Sequence, residues 1–447
     1  MISERQDLME KVTALCKRRG FVYPSSEIYG GVGGLYDYGP YGVALRRNIR
    51  SLWWRHVVDL RDDVVGLEST IIMHPQVWVA TGHVENFTDP LVECRGECKQ
   101  RFRADQLERT DRCPVCGGPL SEPRRFNTMF RTHIGPVEDT ASEVHLRPET
   151  AQGMFVDFKN VVNSMRVRIP FGIAQQGRSF RNEITHGNFI FRLREFEQME
   201  MEYFVRPGED DRWHQHWIDD RLTWYIEVLG IRPEKLRLRS HDKDELAHYA
   251  KAATDIEYLF PFGWGELEGI ANRTDFDLRA HQRQSGEDLS YLEPDTNDRY
   301  LPYVVEPAAG VDRIMITCLL DAYDEEEVRG ETRVVLRFHQ DVAPVQVAVM
   351  PLSKKDDLID VAQQVRRTLQ PVFRVEYDQT GGHIGRRYRR QDEIGTPYCV
   401  TIDFQTLEDQ AVTIRERDSM EQERVPIAGL LDRLRERFAQ GGPPTGA

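Results

Sequence analysis

Arg181 and Glu183, followed by Arg192, Phe196 and Glu200, form the pattern in this chain best suited to chemistry. The first two stand two apart and the last three stand four apart, so on extended strands each set shares one face. A guanidinium can grip phosphate oxygens bidentately, an aromatic ring can stack on adenine, and carboxylates can accept from amino groups. Together these meet the needs of ATP. The same residues would equally make an edge hairpin with cross-strand ion pairs, and the segment alone leaves the two readings even. A second pattern lies in VVEPAAGVDRIMITCLL, where Glu306, Gly310 and Arg313 read as a strand, a close approach permitted by glycine, and a helix opening with arginine. That arginine could reach the outer phosphates of a nucleotide or could make an ordinary ion pair at a strand-to-helix junction.

Four of the seven cysteines are clustered: Cys94 and Cys98 are spaced C-x3-C, and Cys113 and Cys116 are spaced C-x2-C with Pro114 and Gly117 shaping a turn. Two such knuckles let four thiolates close a tetrahedron around zinc, a structural site because no position is left for water. A redox-sensitive pair or an empty remnant is the competing reading, given the wider first spacing. Cys16, Cys318 and Cys399 stand in apolar surroundings and read as small core residues. An odd cysteine count without a basic-then-apolar leader disfavours a disulfide framework and points to the cytoplasm.

The elements that must position these groups follow from periodicity. Leu8, Val12, Leu15 and Cys16 make one stripe of a helix over Ser3 to Arg19, stopped by Gly20. Val43 to Leu60 reads as a second helix with Leu45, Ile49, Leu52 and Trp53 inward. The glycine-dense run Gly30 to Gly42 fits neither a Walker loop nor a dinucleotide fingerprint, and the chain contains no Gly-Lys pair, so phosphates must be held another way. From Val334 to Pro344 the texture changes. VQVAVM, a helix from Ser353 to Leu369, VFRVEY, YCVTIDF, AVTIRE and a helix from Ile427 to Phe438 then alternate, which is a separate α/β domain with a mixed sheet. The small-residue tail GGPPTGA reads as frayed.

A length of 447 residues suffices for two or three domains. No apolar run reaches membrane-spanning length. A net charge of −14 excludes a surface coated in positive potential, so any RNA contact must be local. The best local candidate is Arg386, Arg387, Tyr388, Arg389 and Arg390, four guanidiniums around one ring, which could equally be a solvated charged loop.

The pattern from Phe180 to Glu200 resembles motif two of the class II aminoacyl-tRNA synthetases, and Glu306 to Arg313 resembles their motif three. Within that class the resemblance is closest to the dimeric glycyl-tRNA synthetases. Four phrases that together span the chain carry it: SSEIYGGVGGLYDYGPYG, RPETAQGMF, GWGELEGIANRTDFDL and RRYRRQDEIGTPYC. The resemblance implies an α+β fold: an antiparallel-sheet catalytic domain over 1–335, with the Cys-rich insertion at about 91–123 and a mostly helical connection at about 205–259. A mixed α/β anticodon-binding domain follows over 336–447.

The reaction implied is ATP-dependent glycine–tRNA ligation, with glycine, ATP, Mg2+ and tRNA(Gly) as partners. The Val43 to Leu60 helix would join two subunits of a homodimer. By position in the family, Arg181 and Arg313 are the catalytic cations, contacting the α- and γ-phosphates. Asn182, Glu183, Phe191, Arg192, Leu193, Arg194, Glu195, Phe196, Glu266, Leu267, Gly310, Val311 and Asp312 complete the ATP site. The glycine site draws on Arg103, Glu149, Phe196, Glu197, Gln198, Met199, Glu200, Glu306, Pro307, Ala308, Ala309 and Gly310, and the basic run Arg386 to Arg390 faces tRNA. Where many relatives read Glu-Pro-Ser, this chain has Glu306, Pro307 and Ala308, so a hydroxyl near the amino acid is missing. A paralogue that binds RNA or protein without catalysis, or a class II ligase for another amino acid, are the alternatives. The first usually lacks a motif arginine or the C-terminal domain, and both are present here.

Overall fold

The computed structural model describes residues 2–441 apart from 108, 140 and 186, with side chains described from residue 7 onward. The expectation for the tail beyond Gly441 lies outside the described residues.

Seven strands build the sheet that carries the predicted motifs: β1 (Val64–Gly66), β2 (Phe171–Phe180), β3 (Glu195–Val205), β4 (Leu236–Ser240), β5 (Ala252–Phe260), β6 (Gly263–Thr274) and β7 (Tyr303–Gly310). Their spatial order is β4-β5-β6-β7-β3-β2-β1, antiparallel throughout except for the parallel pair β1 and β2. The sequence of β3 explains why this sheet has two unlike faces. Met199, Met201 and Tyr203 alternate along it and join an apolar core with Leu45, Ile49 and Trp53 of α2 (Pro40–Trp54), Trp217 of α3 (Asp210–Thr223) and Ile314 of α4 (Val311–Ala322). Phe196, Gln198, Glu200 and Glu202 occupy the intervening positions and turn to the opposite face.

The predicted N-terminal helix spans Ile2–Arg19, and Gly20 leaves it with φ +78°. The glycine run after it serves a close approach: a Cβ on Gly42 would overlap the carbonyl of Phe21, so α2 can start against that backbone only with glycine there. Pro40 opens α2, where its missing N–H costs nothing. The helix then passes into a π-turn over Arg55–Asp59, matching the expected end near Leu60.

Two expectations need correction. β2 ends at Phe180 and β3 begins at Glu195, so Arg181, Glu183 and Arg192 lie off the strands, while Phe196 and Glu200 do share a strand face. The connection expected to be mostly helical over 205–259 is helical only through Val228, apart from a short 3-10 turn at Pro233–Lys235; its second half supplies β4 and most of β5. The alternation Leu236, Arg237, Leu238, Arg239 fits the sheet edge, where one row of arginines stays wet.

The Cys-rich segment folds on a three-stranded sheet in which Thr88–Glu93 pairs with Arg101–Arg103 on one side and Arg124–Asn127 on the other. Toward the C-terminus a second sheet is built from Val347–Pro351, Val375–Tyr377, Tyr398–Ile402, Ala411–Glu416 and Gln422–Pro426, parallel across its first three neighbours and antiparallel beyond. It packs with α5 (Asp356–Leu369) and α7 (Leu430–Ala439) around Val349, Leu358, Val365, Val400 and Leu434, while α6 (Ile384–Ile394) adds Tyr388 to a small cluster on Ala348, Met350 and Cys399. Leu336, Phe338, Val342, Ala343 and Val345 belong to the first core, as does Ile394 of α6. Among the described residues no helix is long and apolar enough to cross a membrane.

Candidate active site

The polar face of the seven-stranded sheet encloses a cavity of about 340 Å³. Its polarity follows the strands. At one end stand Phe196 of β3, Gly310 closing β7, Arg313 in the first turn of α4, and Arg181, Arg192 and Phe191 from the segment between β2 and β3. Deeper along the same strands stand Glu200 and Glu306, with Glu149 from the RPET segment. The register places Gln198 opposite Gly310 and Glu200 opposite Ala308, so the two motif strands descend into the cavity side by side.

Two of these cations, Arg181 and Arg313, are aimed by backbone oxygens. Arg181 donates through Nε to the Pro148 carbonyl at 3.0 Å, and its guanidinium stands 5.3 Å from the centre of the Phe196 ring. Arg313 donates to the carbonyls of Phe191 at 3.3 Å and Glu266 at 3.2 Å, lies 4.6 Å over the Phe191 ring, and pairs with the Glu266 carboxylate at 3.1 Å. That pairing holds Glu266 below the usual carboxylate range. A guanidinium fixed at Nε, as in Arg181, presents its remaining donors outward, the geometry that phosphate capture requires, whereas Arg313 also commits Nη1 to Glu266.

The acidic end is buried and contains more carboxylates than cations. Arg273, on β6, donates to both oxygens of Asp277 at 2.7 and 2.8 Å and to Glu306 at 2.6 Å. Glu149 faces His83 at 3.2 Å and accepts from Gln152 at 3.1 Å; burial opposes its ionisation, but His83 and Arg273 outweigh burial and hold its carboxyl well below the usual range. Glu200 accepts from the Thr150 N–H at 3.1 Å and from the Thr150 hydroxyl. Burial, then repulsion from Glu149, pushes Glu200 up to about 7, and burial pushes Glu306 up to about 8 against the pull of Arg273. Of these three acids only Glu149 is held below the usual carboxylate range.

Of the predicted residues, Glu183, Leu193, Gln198, Leu267, Ala308, Ala309 and Asp312 also line the cavity. Glu197 and Met199 do not, because strand alternation turns them to the helical face: Glu197 pairs with Arg46 at 2.9 Å and Met199 is wholly buried. Pro307 is likewise off the lining, and Val311 is buried in the first core. Arg194 donates to the Glu183 carbonyl at 3.1 Å and to the Gly33 carbonyl, tying the motif loop to the glycine-rich loop, and Glu195 pairs with Arg178 on the surface. Asn182 donates its N–H to the Thr128 carbonyl at 2.7 Å. Arg103 is engaged by Asp105 at 2.7 Å and Asp89 at 3.2 Å and stays outside the cavity.

Arg147 donates to the Arg178 and Ser69 carbonyls at 2.7 and 3.0 Å, passing where a Cβ on Gly177 would overlap it, and does not pair with the acids. The arginine that does pair is Arg273, which the sequence reading missed. Its spacing of four from Asp277, with both at a strand-to-helix turn, was the available signal. Tyr249, His241 and Asp255 also line the cavity without having been foreseen.

Away from this cavity, the four clustered cysteines bring one Sγ each within 4.8 Å of all the others. Cys94 and Cys116 are 3.4 Å apart and Cys98 and Cys113 are 3.5 Å apart, while the Val115 N–H points at Cys113 Sγ at 3.4 Å. Gly96 and Gly118 approach so closely that a Cβ on either would crowd Cys116 Sγ. The basic run near the C-terminus is divided by helix α6. Arg386 is exposed and Arg389 and Arg390 are half-buried, but Arg387 is 2% exposed, bonded to Asp378 at 3.1 Å and to the Pro351 carbonyl at 2.6 Å, and Tyr388 is buried. Four guanidiniums therefore do not face solvent together. The helical period of 3.6 turns the second and third of five residues inward.

Residues 130–323 match the family described as "tRNA synthetase class II core domain (G, H, P, S and T)", and residues 346–437 match "Anticodon binding domain". The prolyl-tRNA synthetase from Cryptosporidium parvum, solved with L-proline and AMP, shares the fold with a TM-score of 0.66 at 15% identity, over 96% of this chain and 75% of that one. Fold and motif geometry thus define a class II aminoacyl-tRNA synthetase. Curated relatives narrow the class. The glycine–tRNA ligase of Treponema denticola is 54% identical over 96% of both chains. That of Thermobifida fusca is 54% identical over 98% of this chain and 100% of its own, and that of Bifidobacterium longum is 56% identical over 97% and 94%. The chain belongs to the glycine–tRNA ligase family.

Proposed function

We infer that this protein activates glycine with ATP and transfers it to tRNA. The observation that carries the reading is the polarity of one cavity: Arg181, Arg192 and Arg313 with Phe196 at one end, and Glu149, Glu200 and Glu306 at the other. An amino acid whose ammonium sits on the acids directs its carboxylate toward the arginines. A carboxylate oxygen then attacks the α-phosphorus of ATP, pyrophosphate departs, and the aminoacyl-adenylate keeps the carbonyl at the cavity's middle. The terminal ribose hydroxyl of tRNA next attacks that carbonyl and AMP leaves. No protein nucleophile is needed, so positioning and charge stabilisation do the work. Arg181 serves the α-phosphate, Arg313 the γ-phosphate, and Phe196 the adenine face. Mg2+, bound with ATP, neutralises charge on the outer phosphates.

Glycine selectivity rests on exclusion, since a site that rejects one methyl needs no editing domain. Ala308 offers no hydroxyl, and recognition falls on the three carboxylates. The four gathered thiols fit a structural zinc ion: donor type, closeness and the crowded glycines match a closed tetrahedral site. Arg386, Arg389 and Arg390 are the residues of the basic run that remain available to RNA. The working unit is a cytoplasmic homodimer, supported by the family's motif-one helix and by a neighbouring loop that exposes Ile28 at 88% and Tyr29 at 87%.

The direct test is charging. Purified protein, ATP, Mg2+ and a tRNA transcript with a glycine anticodon should place labelled glycine on precipitable RNA, and no transfer above a no-enzyme control would overturn the reading.

A further inference from the structure

Glu202, just beneath the floor of the cavity, is an acid for which neither the motifs nor the reaction above has a use. It follows Glu200 on the same face of β3 and is wholly buried, and neither of its carboxyl oxygens has a hydrogen-bond partner. One oxygen each from Glu200, Glu202 and Glu306 lie within 4.8 Å of one another. Every other acid there has a donor. Glu149 has Gln152 and faces His83, Glu200 has Thr150, and Glu306 and Asp277 share Arg273. The Arg273 guanidinium, through its three bonds, is committed to Asp277 and Glu306.

The groups facing Glu202 are therefore Glu200 on its own strand, Glu306 from β7, Arg273 from β6 and Asp277 from the helix that follows β6. An ionised Glu202 would be a buried anion with no donor beside two further carboxylates, an arrangement that proteins avoid by retaining a proton. Burial and then Glu306 push its carboxyl well above the usual range, in agreement. A protonated Glu202 carries an O–H of its own, and Glu306 offers it a carboxylate oxygen within 4.8 Å.

We propose that Glu202 is a positioning residue, a neutral carboxylic acid that donates its proton to Glu306, orienting that carboxylate toward the substrate ammonium and limiting the negative charge of the pocket. The proposal rests on the reading that Glu306 meets the ammonium of glycine. Glu202 itself does not line the cavity and touches no substrate. Its proton stays on the pair throughout the reaction, so no step of adenylate formation changes.

The test compares Glu202→Leu, Glu202→Gln and Glu306→Gln in glycine-dependent ATP–pyrophosphate exchange from pH 6 to 9. Removing the donor in Glu202→Leu should raise the KM for glycine about tenfold with a smaller change in kcat, and the neutral amide donor of Glu202→Gln should restore it to within about threefold of wild type. Infrared difference spectra of wild type against Glu202→Gln at neutral pH should show a protonated carboxylic acid, a readout that holds even if the leucine variant does not fold. A KM in Glu202→Gln raised as far as in Glu306→Gln would overturn the proposal, because an ionised Glu202 would then be supplying charge. Absence of the carboxylic-acid band would overturn it too. If Glu306→Gln leaves the glycine KM unchanged, the placement of the ammonium fails instead.

Discussion

Residues in this site are set by their neighbours more than by their own types. Arg181 and Arg313 are held at one side by backbone carbonyls, leaving charge directed into the cavity. Arg181→Ala should lower the rate of pyrophosphate exchange by about 10²- to 10³-fold while the thermal midpoint stays near wild type, because the lost contact is made chiefly in the transition state. Near-normal exchange would defeat the assignment.

Glu200 gives a pH prediction. Its carboxyl is pushed up to about 7 from an ordinary 4.5, so between those values the folded chain binds a proton that the unfolded chain does not. Stability from this group is therefore fully present below the unfolded value and is lost as pH rises through 7. Glu200→Gln should gain stability relative to wild type between pH 5 and pH 8, as read from melting at both; a constant difference would show that Glu200 ionises freely. The fourfold spacing of Phe196 and Glu200 made this pair legible in the sequence. Glu202 was not, since a second glutamate on the same face looks like any other charge until its burial is seen.

Elements decide which residues of a motif can act together. β3 shows this: alternation sends Glu197 and Met199 to the helices and leaves Phe196, Gln198 and Glu200 for the cavity, although the family motif names the run whole. The helix stripe of α2 was legible from Leu45, Ile49 and Trp53, because burial on one side leaves a period. The strand Leu236–Ser240 was not, since the Trp-, His- and Asp-rich helix before it masked a short edge alternation.

Helix α6 corrects the RNA reading in the same way. Arg387→Ala should destabilise the C-terminal unit by about 3 kcal/mol, because it strands the buried Asp378. Arg386→Gln with Arg390→Gln should weaken tRNA binding and flatten its salt dependence at unchanged stability. Melting and filter binding across salt separate the two. If Arg387→Ala melts like wild type but binds tRNA poorly, the helix assignment of inside and outside is wrong.

At the scale of the whole molecule, a catalytic sheet, a Cys-rich insertion and a mixed-sheet C-terminal unit combine into one ligase. The order of these parts was legible because four phrases spread along the chain carry the family pattern. The insertion has few buried apolar residues beyond Leu91, Val92, Cys94 and Cys113, so a metal is what would hold its tip. Protein purified without chelator should contain about one zinc per chain, lost in a Cys113→Ser, Cys116→Ser variant that remains folded. Substoichiometric metal with an ordered insertion would contradict it.

The central claim, that this cavity activates glycine, is tested most directly by ATP–pyrophosphate exchange without tRNA across the twenty amino acids. Glycine should return label from pyrophosphate to ATP, with kcat/KM for alanine and proline lower by at least about 100-fold. Exchange that is equal or greater with another amino acid, or that depends on none, would contradict the account.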